Sequence, residues 1–117
     1  MKVIFYLKSC NTCARIIKEI GFDSSFTFRE IKSQPITEIE IEMIHGLSKN
    51  YESIFNKRAL LFREKKKNTT CFKESDYRKF ILDHYTFLKR PLIIIDKRIF
   101  IGNSKKTISE AKRHTHE

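Results

Sequence analysis

Two cysteines lie three positions apart near the start of the chain, in the run Cys10-Asn11-Thr12-Cys13. The run follows a largely apolar segment with strand character, residues 2–7, and its polar residues favour the start of a helix. A sulfur at a helix N-terminus lies beside unpaired backbone N–H groups and the positive end of the helix dipole, which lower the pKa of a thiol. The spacing therefore predicts thiol chemistry: Cys10 is the nucleophile, and Cys13, one turn later, attacks a mixed disulfide on it.

Two other interpretations of this cysteine pair stay open. A structural zinc site needs a second pair of ligands, and the chain offers only Cys71 and four scattered histidines, so we expect no metal. The cysteines could instead be inert and half-buried, although burial alone does not require this spacing. If the pair is reactive, the positive charges of Lys8 and Arg15 are candidates to tune the Cys10 thiolate.

Length and composition limit the class of protein. The chain has 117 residues and 40% hydrophobic residues, which suits one domain with one packed core. No apolar run approaches the roughly 18–20 residues that span a membrane, and the first residues do not form a signal-peptide core, so we expect a cytoplasmic protein. In that compartment three cysteines favour thiol chemistry over a disulfide scaffold.

The chain is strongly basic, with 24 Lys and Arg against 14 Asp and Glu, a net charge of +10. The basic residues are spread along the sequence, and we find neither zinc-finger spacing nor an aromatic–basic RNA-binding motif. This pattern favours a solvated basic surface over an anionic partner, and we do not expect direct nucleic-acid binding.

Hydrophobic periodicity predicts the elements that position the cysteines. A strand, a helix ending at Gly21 and a second strand near residues 26–31 make a βαβ unit. A helical stretch follows, with a capping box at Thr37 and Glu40 and an amphipathic helix from Ser75 that carries His84 on its apolar stripe. Two further strands, at 91–95 and 98–101, predict a hairpin before a last helix. We expect the tail, residues 113–117, to fray.

Three segments together carry a family resemblance. They are Phe5-Tyr6 followed by the run from Ser9 to Cys13, then Ile-Phe-Asn-Lys-Arg at 54–58, and then Phe-Leu-Lys-Arg-Pro-Leu-Ile-Ile-Ile-Asp-Lys-Arg at 87–98 with Ile101-Gly102 after it. In these segments, and in their order over nearly the whole chain, the protein resembles the ArsC/Spx family of thioredoxin-fold proteins. The Arg-Pro strand with its following Gly is the most specific of the three.

The resemblance implies a fold. It implies an α/β, thioredoxin-like domain over residues 1–117 with a four-stranded mixed sheet built from βαβ and ββα halves. Residues 1–32 and 88–117 would form the core, and residues 33–87 a helical insertion. It also implies a cis bond between Arg90 and Pro91. A proline is tolerated at the first residue of a strand, and Arg90 would orient or neutralise a substrate.

The resemblance also implies several functions. We expect a cytosolic thiol–disulfide oxidoreductase that uses Cys10 and Cys13, binds no cofactor and takes electrons from glutathione or a thioredoxin- or glutaredoxin-type protein. One alternative is a glutaredoxin-dependent arsenate reductase that acts through Cys10. The other is a redox-sensing regulator, like Spx, that binds the RNA polymerase α subunit.

This chain matches only some of the arginines of the arsenate reductases. Arg90 matches one arginine of those enzymes, and either Asn56 or Arg58 falls near a second. Where they carry a further arginine, this chain has the turn Gly102-Asn103, which takes one ligand away from an oxyanion.

Overall fold

The sheet of this protein is built from four short strands rich in isoleucine, valine and phenylalanine, residue types that suit a buried pleated surface. The computed structural model describes all residues from Met1 to Glu117. The strands are β1 (Lys2–Tyr6), β2 (Thr27–Glu30), β3 (Leu92–Ile95) and β4 (Arg98–Ile101). In the order β2-β1-β3-β4, β1 is parallel to β2 and antiparallel to β3, and β3 is antiparallel to β4. The predicted α/β fold with a four-stranded mixed sheet is confirmed.

The chain divides into two compact units, and the first contains this sheet. It comprises Met1–Gln34 and Arg90–Glu117, with helices α1 (Asn11–Ile20) and α5 (Lys105–Thr115). Apolar side chains of both helices pack on β1 and β3 in one core: Ile4, Ile16, Ile20, Ile93, Ile108 and Ala111. The end of α1 at Gly21 is as predicted, because this residue takes a left-handed conformation with φ of 71° that glycine adopts readily.

The second unit, Pro35–Lys89, is helical. Its elements are α2 (Glu38–Ser48), α3 (Leu60–Lys65) and α4 (Glu74–Asp83), with 3-10 turns at Glu52–Ile54 and Tyr85–Phe87. Phe55 lies at its centre, with its ring stacked 5.4 Å from that of Phe87. The predicted capping box is present: the Glu40 N–H donates to Thr37 Oγ1 at 3.1 Å, and the Thr37 N–H donates to Glu40 Oε1 at 3.0 Å. No helix of the chain is both long and apolar enough to cross a bilayer.

The amphipathic helix predicted from Ser75 onward is shorter than its apolar pattern. Helix α4 ends at Asp83, because His84 is extended, with φ of −154° and ψ of 137°. The His84 Nδ1 accepts a hydrogen bond from the Thr86 N–H at 3.1 Å and so caps the following 3-10 turn. The placement of His84 on a helix face was therefore wrong. The apolar pattern continues past the helix because Leu88, directly after the turn, is still buried.

The predicted fraying of the C-terminal tail was also wrong. Helix α5 continues to Thr115, and His116 Nε2 lies 2.6 Å from the carbonyl oxygen of Ile20 at the end of α1. The His114 ring lies 5.6 Å from that of Phe100. These contacts join residues far apart in the sequence, so local composition could not indicate them.

Candidate thiol site

Cys10 is the residue directly before α1 and takes its N-cap position. Its backbone is extended, with φ of −88° and ψ of 114°, while its carbonyl already accepts the N–H of Ala14 at 3.1 Å. The Cys10 N–H turns back to the Leu7 carbonyl at 3.1 Å, which closes the loop between β1 and α1. The first turn of α1 carries no acidic side chain. The open N–H groups of the helix are therefore left to the sulfur and not to a carboxylate.

These N–H groups act on the Cys10 thiol. Partial burial works against its ionisation, but the backbone N–H groups of Cys13 and Thr12, the Cys13 thiol and the charge of Arg90 outweigh burial and hold the Cys10 pKa below its ordinary value. Cys10 is only half-buried, so a reagent in solution can reach it. An accessible thiol with a lowered pKa is the form in which cysteine acts as a nucleophile.

Cys13 has the opposite character. It is fully buried, and burial raises the pKa of its thiol to about 11, with the negative charge on Cys10 adding to the effect and the Leu7 N–H opposing it. Its S–H lies within hydrogen-bonding reach of the Cys10 sulfur. The site thus pairs an accessible thiol whose pKa is lowered with a buried thiol whose pKa is raised.

Arg90 and Pro91 reach the same edge of the sheet. Phe5 in β1 pairs with Leu92 in β3, so the two residues before Leu92 lie beside the chain that leaves β1. The Arg90–Pro91 bond is cis, which confirms the expectation from the family resemblance. The Pro91 carbonyl accepts the N–H of Gly102 at 3.0 Å. The charge of Arg90 favours the ionised form of both thiols.

Sequence reasoning missed Glu30, at the end of β2. Its Oε2 accepts the backbone N–H of Lys8 at 2.8 Å, and its Oε1 accepts the N–H groups of Lys32 and Ser33 at 2.9 and 2.7 Å. Burial opposes ionisation of this carboxyl, but the hydrogen bonds prevail and lower its pKa to about 2. The available signal was an acidic residue at the carboxyl end of the strand that runs parallel to β1.

The four residues predicted to support the site belong to different parts of the fold. Lys8 and Arg15 are exposed at the loop and on α1, and their tuning roles stay predictions. Asn56 and Arg58 belong to the second unit, where the Asn56 amide donates to the Thr86 carbonyl at 3.1 Å and its Oδ1 accepts the Arg58 N–H at 3.1 Å. These bonds shape a turn, and a role of the two residues toward a substrate stays a prediction. No group of three or more His, Cys, Asp or Glu side chains is arranged to hold a metal ion.

The fold combines a four-stranded mixed sheet, a cysteine pair at the start of its first helix and a cis Arg-Pro bond before β3. The sequence resemblance implies this combination for the ArsC/Spx family of thioredoxin-fold proteins. The family model of the ArsC family matches residues 5–111. The chain therefore belongs to the ArsC family, as its sequence motifs predicted.

Known relatives and solved structures agree with this assignment. The global transcriptional regulator Spx 1 of Bacillus cereus is 27% identical over 112 residues, covering 92% of this chain and 84% of the relative. An arsenate reductase (ArsC) related protein of Brucella melitensis has a TM-score of 0.70 at 20% identity, covering 93% of this chain and 92% of the other. The arsenate reductase of Vibrio cholerae has a TM-score of 0.69 at 12% identity, with 93% and 95% covered. At these identities the two structures show a shared fold.

Proposed function

We propose that this protein is a thiol–disulfide oxidoreductase in which Cys10 attacks and Cys13 resolves. The observation that carries the proposal is the contrast between the two sulfurs. Cys10 is accessible and has a lowered pKa, whereas Cys13 is fully buried and has a pKa raised to about 11. A substrate disulfide can meet only the first sulfur, and the first is the more readily ionised of the two.

The reaction follows two exchange steps. The Cys10 thiolate attacks one sulfur of a substrate disulfide, a Cys10–substrate disulfide forms, and the other substrate thiolate leaves. Bonding Cys10 removes the negative charge that contributes to the raised pKa of Cys13. The Cys13 thiol then gives up its proton to solvent water and attacks the Cys10 sulfur, and the Cys10–substrate bond breaks to release the second substrate thiolate. The substrate gains two electrons and the protein holds a Cys10–Cys13 disulfide.

A thiol donor must return the protein to its reduced state. Two molecules of glutathione, or the dithiol of a thioredoxin- or glutaredoxin-type protein, would supply the two electrons and become a disulfide. Arg90, whose charge already favours the Cys10 thiolate, would stabilise the anionic sulfur as it attacks and as it leaves. A reducing cytoplasm, where thiols are maintained, suits this cycle.

The resolving step can be tested by substitution of Cys13. In Cys13→Ser, the Cys10–substrate disulfide has no internal attacker, so a mixed disulfide with glutathione should accumulate after incubation with oxidised glutathione. Intact-protein mass spectrometry of a Cys71→Ser background measures this, with Cys10→Ser in the same background as the control. Equal amounts of adduct with and without Cys13 would contradict the resolving role.

A regulatory function of the Spx kind is the second candidate, favoured by the relative from Bacillus cereus, which is a global transcriptional regulator. In this case the Cys10–Cys13 pair would act as a switch and the partner would be the RNA polymerase α subunit. The purified protein should then bind the α subunit in one redox state at least about tenfold more tightly than in the other. Equal binding to both states, or no binding, would count against a redox switch.

Arsenate reduction is the third possibility, and the structural likeness to arsenate reductases raises it. The Cys10 thiolate would form an adduct with arsenate, which glutathione and a glutaredoxin would then reduce. The turn Gly102-Asn103 lies where the family resemblance implies a further arginine in arsenate reductases, so we rank this function below disulfide exchange. NADPH-coupled turnover of arsenate that Cys10→Ser abolishes would reverse the ranking.

A further inference from the structure

Glu30 joins the two loops at one edge of the sheet. Tyr6 and Glu30 are paired residues of the parallel strands β1 and β2, and the Ile31 N–H donates to the Tyr6 carbonyl at 3.0 Å. Beyond this point the chains separate, one toward Cys10 and the other toward Ser33. The Glu30 carboxylate lies between them and accepts hydrogen bonds from both.

The two carboxylate oxygens of Glu30 serve different loops. Oε2 accepts the Lys8 N–H at 2.8 Å, two residues before Cys10. Oε1 accepts the N–H groups of Lys32 and Ser33 and the Ser33 hydroxyl, at 2.9, 2.7 and 2.9 Å. A carboxylate with four such donors is fixed in direction, because any rotation loses charge-assisted hydrogen bonds.

We propose that Glu30 is a positioning residue for the nucleophile: through the Lys8 N–H it holds the loop from Leu7 to Cys10 in the conformation that presents the Cys10 sulfur to the first N–H groups of α1. This inference rests on the proposed function, since it names the group that prepares the same thiolate. Glu30 touches no substrate in this arrangement and acts only through the backbone. Its own negative charge cannot be the benefit, because a nearby anion disfavours a thiolate.

The substitution Glu30→Gln separates position from charge. The amide oxygen of glutamine would stay with the three donors around Ser33, so the NH2 group would face the Lys8 N–H and break only that bond. If Glu30 positions the loop, the Cys10 pKa should rise by about half a unit to one unit. The rate of alkylation at pH 7 should then fall about three- to tenfold. If Glu30 acts only through its charge, the pKa should fall.

The measurement is the pH profile of Cys10 alkylation by iodoacetamide, read by peptide mass spectrometry in a Cys71→Ser background. Ser33→Ala, which leaves the Lys8 bond in place, should not move the Cys10 pKa. The matched control is Glu74→Gln, since Glu74 also accepts two backbone N–H groups of a distant segment, those of Tyr51 and Glu52, but in the second unit. It should lower thermal stability without changing Cys10. An unchanged or lowered Cys10 pKa in Glu30→Gln overturns the proposal.

A measurement on the unmodified protein covers the case in which Glu30→Gln does not fold. By NMR, the Lys8 amide should exchange with solvent at least about tenfold more slowly than in an unstructured peptide, because it donates to Glu30. Exchange at the peptide rate overturns the proposal. Neither measurement needs a substrate disulfide. The positioning role can therefore stand if disulfide exchange fails, and it can fail while disulfide exchange stands.

Discussion

Helices α1 and α2 both begin after an extended residue, but different side-chain groups lie beside their first backbone N–H groups. Thr37, at the start of α2, is extended and its hydroxyl accepts the N–H of Glu40. Cys10, just before α1, is extended as well, but its side chain makes no capping hydrogen bond of this kind. The N–H groups of Thr12 and Cys13 instead favour the ionised form of its thiol. One side chain gives the helix a neutral hydrogen-bond acceptor, and the other gives it a group that ionises.

The charges around the two helix starts differ in the same sense. The first turn of α2 contains Glu38 and Glu40, which suit the positive end of the helix dipole, whereas that of α1 contains no acid. In α2 the favourable interaction with an anion stabilises the fold. In α1 the same interaction favours the ionised form of the Cys10 thiol, whose pKa is lowered.

The largest effect is expected for Cys10→Ser. Serine is a good residue for a helix start, so this variant turns the start of α1 into one like that of α2. Disulfide exchange should fall by at least about 1,000-fold, because a serine hydroxyl stays protonated at neutral pH and cannot form the mixed disulfide. Reduction of oxidised glutathione measures disulfide exchange, and thermal unfolding measures the stability of the variant. Retained exchange, with thermal stability unchanged, would place the nucleophile elsewhere.

The pH dependence of alkylation is expected to separate the cysteines. Since the Cys10 pKa is lowered, its rate should rise about tenfold per pH unit below that pKa and level off before an ordinary thiol does. Cys13, with a pKa raised to about 11, should not react at neutral pH. Cys71, an exposed thiol in the second unit, is the internal reference in the same sample. A Cys10 profile displaced to higher pH than that of Cys71 would contradict an activated thiol.

A smaller effect is expected for Asn11→Asp, which gives α1 the acidic first turn that α2 has. The new charge should stabilise the helix by about 0.3–1 kcal/mol. It should also repel the Cys10 thiolate, raise its pKa by about half a unit and slow alkylation at pH 7 about threefold. Asn11→Ser is the neutral control. Higher stability with faster alkylation would show that the two helix starts do not differ in the way proposed.

The smallest effect on the thiol is expected for Thr37→Ala. Loss of the hydroxyl acceptor should cost about 1 kcal/mol of the free energy of unfolding, measured in urea. The alkylation rate of Cys10 should stay the same, because Thr37 belongs to the second unit. A changed rate would mean that the two helix starts are coupled.

Local sequence was sufficient for features whose hydrogen bonds join near neighbours. The N-cap of α1 at Cys10, its C-cap at Gly21 and the capping box of Thr37 and Glu40 all depend on residues within about one turn of each other. Strands β1, β3 and β4 contain short apolar runs, whereas β2 contains only one apolar residue, Phe28. The cis bond before Pro91 came only from the family motif, since its own residues favour trans.

Tertiary structure decided which of the two sulfurs is accessible and what surrounds them. Spacing places Cys13 one turn after Cys10, but its complete burial depends on the packing of α1 on the sheet. The contact of Glu30 with the Lys8 N–H spans 22 residues and exists because β1 and β2 are parallel and in register. Periodicity in one segment holds no information about such pairs, because it describes a single element, and the pairs form only when separate elements meet.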